Sequence, residues 1–285
     1  MSNLTGVTPS HTEKRLKLLL FGAAGTGKTT AAISFPTPYI IDAERGTEQA
    51  SYVDLIKEAG GVVVKTTSFE VLMDQVRALA TEEHPYRTLV VDPITVLFDN
   101  LADRYEASVG TQYGAHRAAA FKDWKRLCSL LSSLDMNVVM TAHEKTLWSD
   151  SKAMEAIGYT FDGPKKADHY MDLVCRITKE DGDRIAEVVK SRIAAIEEEV
   201  RFPWSFERLA ELYGPTIIWK LSESVRMVSE EELAALDTLI LMDPEGGTLR
   251  ERIKQKASVE RLEDLTQEQV GACIQWLKTK NTQKN

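Results

Sequence analysis

Eight consecutive residues, Gly22-Ala-Ala-Gly-Thr-Gly-Lys28-Thr29, fit the pattern GxxxxGK[ST] at every fixed position. Such a run can hold a chain of phosphates. Its glycines let backbone N–H groups curl around phosphate oxygens, the lysine neutralises the β- and γ-phosphates, and the threonine hydroxyl ligates Mg2+. Gly22, Ala23, Ala24, Gly25, Thr26, Gly27, Lys28, Thr29 and Thr30 are therefore the expected nucleotide-binding residues, with ATP and Mg2+ as the implied ligands. A second segment, Arg87-Thr-Leu-Val-Val-Asp92, is an apolar run ending in an acid, and Asp92 is expected to hold Mg2+, usually through water. A strand ending in aspartate is common in α/β proteins. The phosphate-binding pattern upstream gives this one its meaning.

These residues need elements to position them, and the sequence supplies strand, loop and helix in alternation. Short apolar runs predict strands at Leu16–Phe21, Tyr39–Ile41, Val62–Val64, Thr88–Val91 and Asn137–Met140. Between them, Phe69, Leu72, Val76 and Leu79 share one helical face, as do Ile94, Leu97, Leu101 and Tyr105. A longer stripe runs from Phe121 through Trp124, Leu127, Cys128 and Leu131 to Leu134. Buried strands alternating with amphipathic helices predict an α/β fold with a mostly parallel sheet covered on both sides. Leu173–Thr178 and Ile185–Lys190 predict an antiparallel hairpin closed by the Asp181-Gly182 pair. Beyond about residue 225 the chain reads as helices, and Ser229–Glu232 and Thr266–Gln269 match capping boxes. The expected organisation is a flexible arm at 1–15, an ATPase core at 16–225 and a small helical region at 226–285.

The second and later strands narrow the class. Pro93 follows Asp92, so no glutamate stands directly after the acid. The segment Tyr39-Ile-Ile-Asp42-Ala43-Glu44 resembles RecA, whose catalytic glutamate ends a similar segment; that resemblance makes Glu44 the residue that orients the attacking water. Val138-Val-Met-Thr-Ala-His143 resembles the RecA strand that ends in a γ-phosphate sensor, with His143 where RecA has glutamine. Ala186-Glu-Val-Val-Lys190-Ser191-Arg192 resembles the segment whose two basic residues reach a neighbouring subunit's ATP. This implies a homo-oligomer with ATP at its interfaces and catalytic roles for Lys190 and Arg192 beside Lys28. Across residues 16–205 the chain is most similar to bacteriophage ATP-binding proteins with a RecA-like P-loop NTPase core, several of which are single-strand annealing or recombination proteins.

Other phosphate-loop classes fit less well. Thr178-Lys-Glu-Asp181 resembles the guanine-reading TKxD of GTPases but falls in the expected hairpin turn, and no LSGGQ signature of transporter ATPases is present. The chain has 285 residues, 43% hydrophobic and 27% charged, enough to bury a core without metal or disulfides. Its three cysteines form no CxxC pair, which argues against a zinc site and fits a reducing cytosol. The apolar run Leu18–Phe21 is far too short to span a membrane, so a cytoplasmic location is expected, in the host if the chain is phage-encoded. A net charge of −8 weighs against coating nucleic acid over the whole surface and leaves room for local loops that grip a strand.

RecA-like proteins hold DNA in loops after the two strands that end at Asp92 and His143. The corresponding candidates are 104–117, with Gly110, Gly114, His116 and Arg117, and 144–170. The second interleaves Trp148, Tyr159, Phe161 and Tyr170 with Lys145, Lys152, Lys165 and Lys166, which suits bases that stack while phosphates are neutralised. A flap contacting protein, or a β-hairpin packed on the core, would have the same composition. The expected function is an ATPase acting on single-stranded DNA in annealing or strand exchange. The alternative is a nucleotide-dependent switch or loader that engages a replication or recombination protein.

Overall fold

The computed structural model describes residues 14–149, 155–221, 228–257 and 259–282. The chain order is β1 (Lys17–Gly22), α1 (Lys28–Ile33), β2 (Pro38–Asp42), α2 (Ala50–Glu58), β3 (Val62–Lys65), α3 (Phe69–Thr81), β4 (Thr88–Asp92), α4 (Ile94–Val109) and α5 (Ala115–Ser133). It continues with β5 (Asn137–Trp148), β6 (Ala156–Asp162), β7 (Leu173–Glu180), β8 (Asp183–Ser191), β9 (Arg201–Pro203), α6 (Phe206–Tyr213), α7 (Pro215–Trp219), α8 (Glu230–Met242), α9 (Gly246–Ala257) and α10 (Gln267–Thr282). All strands join one sheet in the order β3-β2-β4-β5-β1-β7-β8-β9, with β6 paired to the far end of β5. Pairing is parallel from β3 to β7 and antiparallel in β5–β6, β7–β8 and β8–β9. This is the mostly parallel, helix-covered α/β sheet expected from the strand–helix alternation, with the antiparallel hairpin at one side.

The sheet is covered on both faces, and β1 shows why. All six of its residues are buried, and the four from Leu18 to Phe21 alternate between two apolar clusters. Leu19 and Phe21 face the helices α3, α4 and α5 with Leu72, Leu97, Leu101, Trp124 and Leu131. Leu18 and Leu20 face the opposite side, with Ile33, Phe35, Ile56 and Leu209. A strand with both faces buried has no polar alternation to lose, so it reads as a continuous apolar run. The Asp181-Gly182 turn is also as expected: both residues have positive φ, 50° and 96°, the geometry of a tight hairpin turn. Asp181 is thus held in a turn rather than a guanine-reading motif.

Four features differ from the sequence expectation. Helix α2 presents one buried residue, Ile56, so its stripe is faint. Strand β9 has only three residues. The expected loop 104–117 is mostly helix: α4 continues to Val109 and α5 starts at Ala115, leaving residues 110–114 as the connection. Its basic residues are engaged, Arg104 with Glu70 and Arg117 with Asp99 at 2.7 Å. The expected loop 144–170 is not one loop. Strand β5 runs on to Trp148 and pairs antiparallel with β6, from His143 opposite Asp162 to Trp148 opposite Ala156. Both faces of this extension are partly wet, so it lacks the apolar run that marks a buried strand. Residues 163–170 then return along the core, where Ala167 is buried and Tyr170 packs against the α4–α5 side. Lys165, Lys166, His169 and Tyr170 belong to that returning segment, and Lys152 lies outside the described residues.

Helices α8, α9 and α10 form a third apolar cluster around Leu236, Ile240, Leu249, Ile253, Leu265, Val270 and Leu277. Both capping boxes form. Ser229 Oγ accepts from Glu232 N at 3.2 Å and Glu232 Oε2 from Ser229 N at 3.0 Å, with the same reciprocal pair between Thr266 and Gln269. Asp264 ties this cluster to the sheet layer. Its side chain is 2% exposed and accepts from Arg77 on α3 at 2.9 Å and from Arg126 Nε on α5 at 2.6 Å. Asp264→Ala would leave the Arg126 guanidinium desolvated and unpaired, a loss of about 3 kcal/mol for a buried ion pair broken on one side. Urea unfolding of the full chain should show that loss; an unchanged midpoint would mean the Asp264 fork contributes nothing.

Candidate functional site

Four strand ends lie level at the C-terminal edge of the parallel sheet. Gly22 on β1 is paired with His143 on β5, and Asp42 on β2 with Asp92 on β4. Ligands of open α/β sheets bind beyond this edge, where successive loops leave in different directions. Here the loop 22–27 leaves β1 and turns into α1 at Lys28. Gly25 and Gly27 have φ of 78° and 93°, backbone that a side chain would strain. Gly22 is needed for a different reason: a Cβ there would lie 2.2 Å from the carbonyl oxygen of Ile177 on β7.

Lys28 Nζ donates to the carbonyls of Gly22 and Ala23, each at 2.9 Å, so the ammonium lies over the mouth of the loop. Burial lowers its pKa, opposed by the nearby carboxylates of Asp92, Glu44 and Glu144. Thr29 Oγ1 donates to Asp92 Oδ2 at 2.7 Å. The other oxygen, Oδ1, accepts from Thr141 Oγ1 on β5. Burial raises the Asp92 pKa, with the neighbouring acids Asp42 and Glu44 adding to it and the two threonine hydroxyls opposing it. Among the described residues no group of three or more His, Cys, Asp or Glu could hold a metal ion. A divalent cation at Thr29 and Asp92 would complete its shell with phosphate oxygens and water, as Mg2+ does in nucleotide sites. The residues fit that ion.

Glu44 and His143 meet directly, Nε2 of the imidazole lying 2.9 Å from Glu44 Oε1. The backbone carrying Glu44 is fixed by buried Asp42. Its carboxylate accepts from the N–H groups of Glu44 and Gly46 at 3.2 Å and of Thr47 at 3.0 Å, and from the Thr47 hydroxyl. His143 is fixed from behind, its N–H donating to Thr95 Oγ1 at 3.0 Å. The next residue, Glu144, accepts from Arg176 Nε at 2.6 Å, and the Arg176 guanidinium lies 4.0 Å from the centroid of the Tyr159 ring.

Of the residues expected to act together, Lys28, Thr29, Asp92, Glu44 and His143 converge at this edge. Lys190 and Arg192 do not. Leu18 is paired with Leu173, and Leu173 with Ser191, so these cations sit level with Leu18, four residues down β1 from Gly22. That is about 13 Å at the rise of a strand. Lys190 donates to the carbonyls of Asp168 and of Met171 (3.1 Å), and Arg192 to that of His169 at 2.6 Å. Burial and the adjacent Arg192 lower the Lys190 pKa. Neither cation is placed beside its own chain's loop.

Sequence reasoning missed Thr141, although a threonine inside an apolar strand two residues before its polar end was a readable sign. It also missed Arg176 and Arg184, which nothing in the local sequence marks. Arg184, on β8, lies against Gly27 and places Nη2 3.4 Å from Thr30 Oγ1.

A family model described as AAA domain matches residues 14–203. No curated protein matches the chain. Among solved structures, the crystal structure of the RadB recombinase is similar at 14% identity, covering 65% of this chain and 84% of that one, with a TM-score of 0.40. No helix among the described residues is long and apolar enough to cross a membrane.

The close approach of β1 to β7 makes a prediction. Gly22→Ala must push the Ile177 carbonyl aside and should cost about 2 kcal/mol, as overpacking does. Gly25→Ala meets nothing within 4 Å and carries only left-handed strain, about 1 kcal/mol. Thermal unfolding of the two variants should rank them in that order, and equal midpoints would contradict the packing at Gly22.

Proposed function

We propose that this chain, which belongs to the AAA domain family, is a Mg2+-dependent ATPase whose nucleotide state governs its grip on single-stranded DNA. The observation that carries the nucleotide half is the 2.7 Å bond between Thr29 and Asp92, with Lys28 beside it and the Glu44–His143 pair at the same sheet edge. The backbone of residues 22–30 would wrap the phosphates, Lys28 would leave its loop carbonyls for the β- and γ-phosphates, and Thr29 and Asp92 would hold Mg2+. Bound Mg2+ supplies charge neutralisation across the phosphate oxygens. Glu44 would orient the attacking water, and His143, hydrogen-bonded to it, would register the γ-phosphate.

Lys190 and Arg192 are proposed to act on a neighbour's nucleotide, in a homo-oligomer. Their place at the opposite end of the sheet from their own loop supports action across an interface, because it leaves them unable to serve in cis. The DNA surface is proposed to be the β5–β6 hairpin. Leu147, Trp148, Ile157 and Tyr159 are each about half exposed there, an unusual concentration of apolar surface. Lys145 is paired with Asp162 at 3.1 Å, and one face of Tyr159 is covered by Arg176, so Trp148 is the better stacking platform. Strand β5 links the two halves: Thr141 touches Asp92, His143 touches Glu44, and Trp148 follows five residues later. The division into a core at 16–225 and a helical region at 226–285 is part of this proposal, supported by the separate apolar cluster of α8–α10. A role in phage recombination, in the host cytoplasm, is the setting in which annealing or strand exchange would use these parts.

The same exposed hairpin would suit a protein partner, which keeps the switch or loader as the second reading. Stimulation of ATP hydrolysis by single-stranded DNA favours the first, and stimulation by a replication protein favours the second.

Lys28→Ala should abolish ATP binding in calorimetry, and unchanged affinity would sink the nucleotide reading. Glu44→Gln should bind ATP normally while turnover falls about 100-fold or more, the usual contribution of a group that handles the attacking water's proton. Arg192→Ala mixed with Lys28→Ala should regain part of the lost hydrolysis, since some interfaces pair an intact loop with an intact cation. Assembly without any recovery would argue against action in trans. Trp148→Ala should weaken single-stranded DNA binding by about 1–3 kcal/mol and leave ATP affinity unchanged. If its binding curve coincides with that of the wild type, the hairpin is not the DNA surface.

A further inference from the structure

Strand β8 begins at the cradle and ends away from it. Its second residue, Arg184, follows the Asp181-Gly182 turn and lies over the phosphate-binding loop of the same chain. A Cβ on Gly27 would fall 1.9 Å from Arg184 Nε and under 3 Å from Cδ and Cζ, so the guanidinium stem packs directly on the glycine. Nη2 lies 3.4 Å from Thr30 Oγ1. The backbone at this position is pinned, since Trp204 N donates to Arg184 O at 2.8 Å.

The charge of Arg184 is the informative feature. Nearby arginines are neutralised by carboxylates: Arg176 by Glu144 and Arg201 by Glu180. Arg184 forms no ion pair among the described residues, and its hydrogen-bonding partner there is the neutral hydroxyl of Thr30. An exposed arginine with a spare fork, held 154 residues along the chain against a phosphate-binding loop, is suited to an anionic ligand. The side it approaches can be specified. Successive helical residues point about 100° apart, and Thr29 turns its hydroxyl to Asp92, the metal side, while Thr30 turns its own to Arg184. The β- and γ-phosphates are the province of Lys28. The remaining phosphate is the α-phosphate.

We infer that Arg184 is a nucleotide-contacting residue of its own subunit, closing over the loop to clamp the α-phosphate from the Thr30 side of the helix start, away from the Thr29–Asp92 side. The inference rests on the nucleotide reading of residues 22–30 and adds a cationic contact in cis to those proposed across the interface. Arginine suits the place because its planar fork can bond a phosphate and the Thr30 hydroxyl together, whereas lysine offers a point charge.

The test is equilibrium binding of Mg-ATP, Mg-ADP and inorganic tripolyphosphate to the full chain as wild type, Arg184→Ala and Arg184→Lys. Arg184 is exposed, so the variants should keep the wild-type thermal midpoint. Arg184→Ala should weaken all three ligands about tenfold, the size expected for a lost charge-assisted bond, and Arg184→Lys should recover part of that. Wild-type affinity for all three in Arg184→Ala overturns the inference. Loss of ATP and ADP with tripolyphosphate unaffected overturns it too, because the arginine would then contact the nucleoside. Mixing Arg184→Ala with Lys28→Ala should recover no ATPase activity; recovery would place the arginine on a neighbour's nucleotide and overturn the assignment in cis. Failure of the wild type to bind any of the three would instead strike the nucleotide reading itself.

Discussion

A carboxylate withdrawn from water is costly unless its oxygens are bonded, and the arrangement around Asp92 answers that cost. One oxygen accepts from Thr29 at the start of α1 and the other from Thr141 on β5, so the acid joins three segments that are distant in sequence. Burial favours protonation of the acid and the two hydroxyls favour its charged form. The rest of the edge is organised around this point. Ala43 N donates to the Asp92 carbonyl at 2.8 Å, which brings the loop bearing Glu44 into place, and His143 follows Thr141 by two residues. A cation between Thr29 and Asp92 would therefore sit at a point bonded to α1, to β5 and to the residue that follows β2.

The continuity of β5 gives the fold a physical connection from this edge to an exposed surface. Strands are stiff along their length, and β5 passes from the buried parallel sheet into the antiparallel hairpin with a single irregularity between Leu147 and Trp148. Glu144, Arg176 and Tyr159 form a second connection beside it, through a charge-assisted bond and a guanidinium over a ring. Both begin within reach of Lys28. A shift of the Lys28 ammonium from its loop carbonyls to a phosphate would change the field at Asp92 and Glu44 and, more weakly, at Glu144, the carboxylates that act on it.

The antiparallel hairpin β7–β8 has a consequence that the parallel strands cannot produce. Running back along the sheet, β8 carries cations to both of its ends, Arg184 at the loop 22–27 and Lys190 with Arg192 at the far edge. The strand and the residue after it thus place cations at the phosphate-binding loop of the same chain and at the opposite edge of the sheet.

Much of this was legible in the sequence, for reasons that can be stated residue by residue. The glycines at 22, 25 and 27 and the following Lys-Thr fix a backbone path and a donor set within eight positions, so the loop needed no tertiary information. Strands buried on both faces, such as Leu18–Leu20 and Leu89–Val91, read directly as apolar runs. So did the turn at Asp181-Gly182, whose positive φ values depend on local chemistry alone, and the two capping boxes. The extension of β5 into a hairpin was not legible, because a half-wet ribbon has neither a buried run nor a strict alternation. The loop at 104–117 was misread for a related reason: its glycines at 110 and 114 bracket a short connection, while the flanking residues continue helices whose ends carry no strong cap. What tertiary structure alone decided was proximity across the sheet. That Thr141 would reach Asp92, that His143 would meet Glu44, and that Arg184 would lie on Gly27 all follow from strand order and register, which are set by the packing of the whole sheet rather than by the neighbours of any one residue.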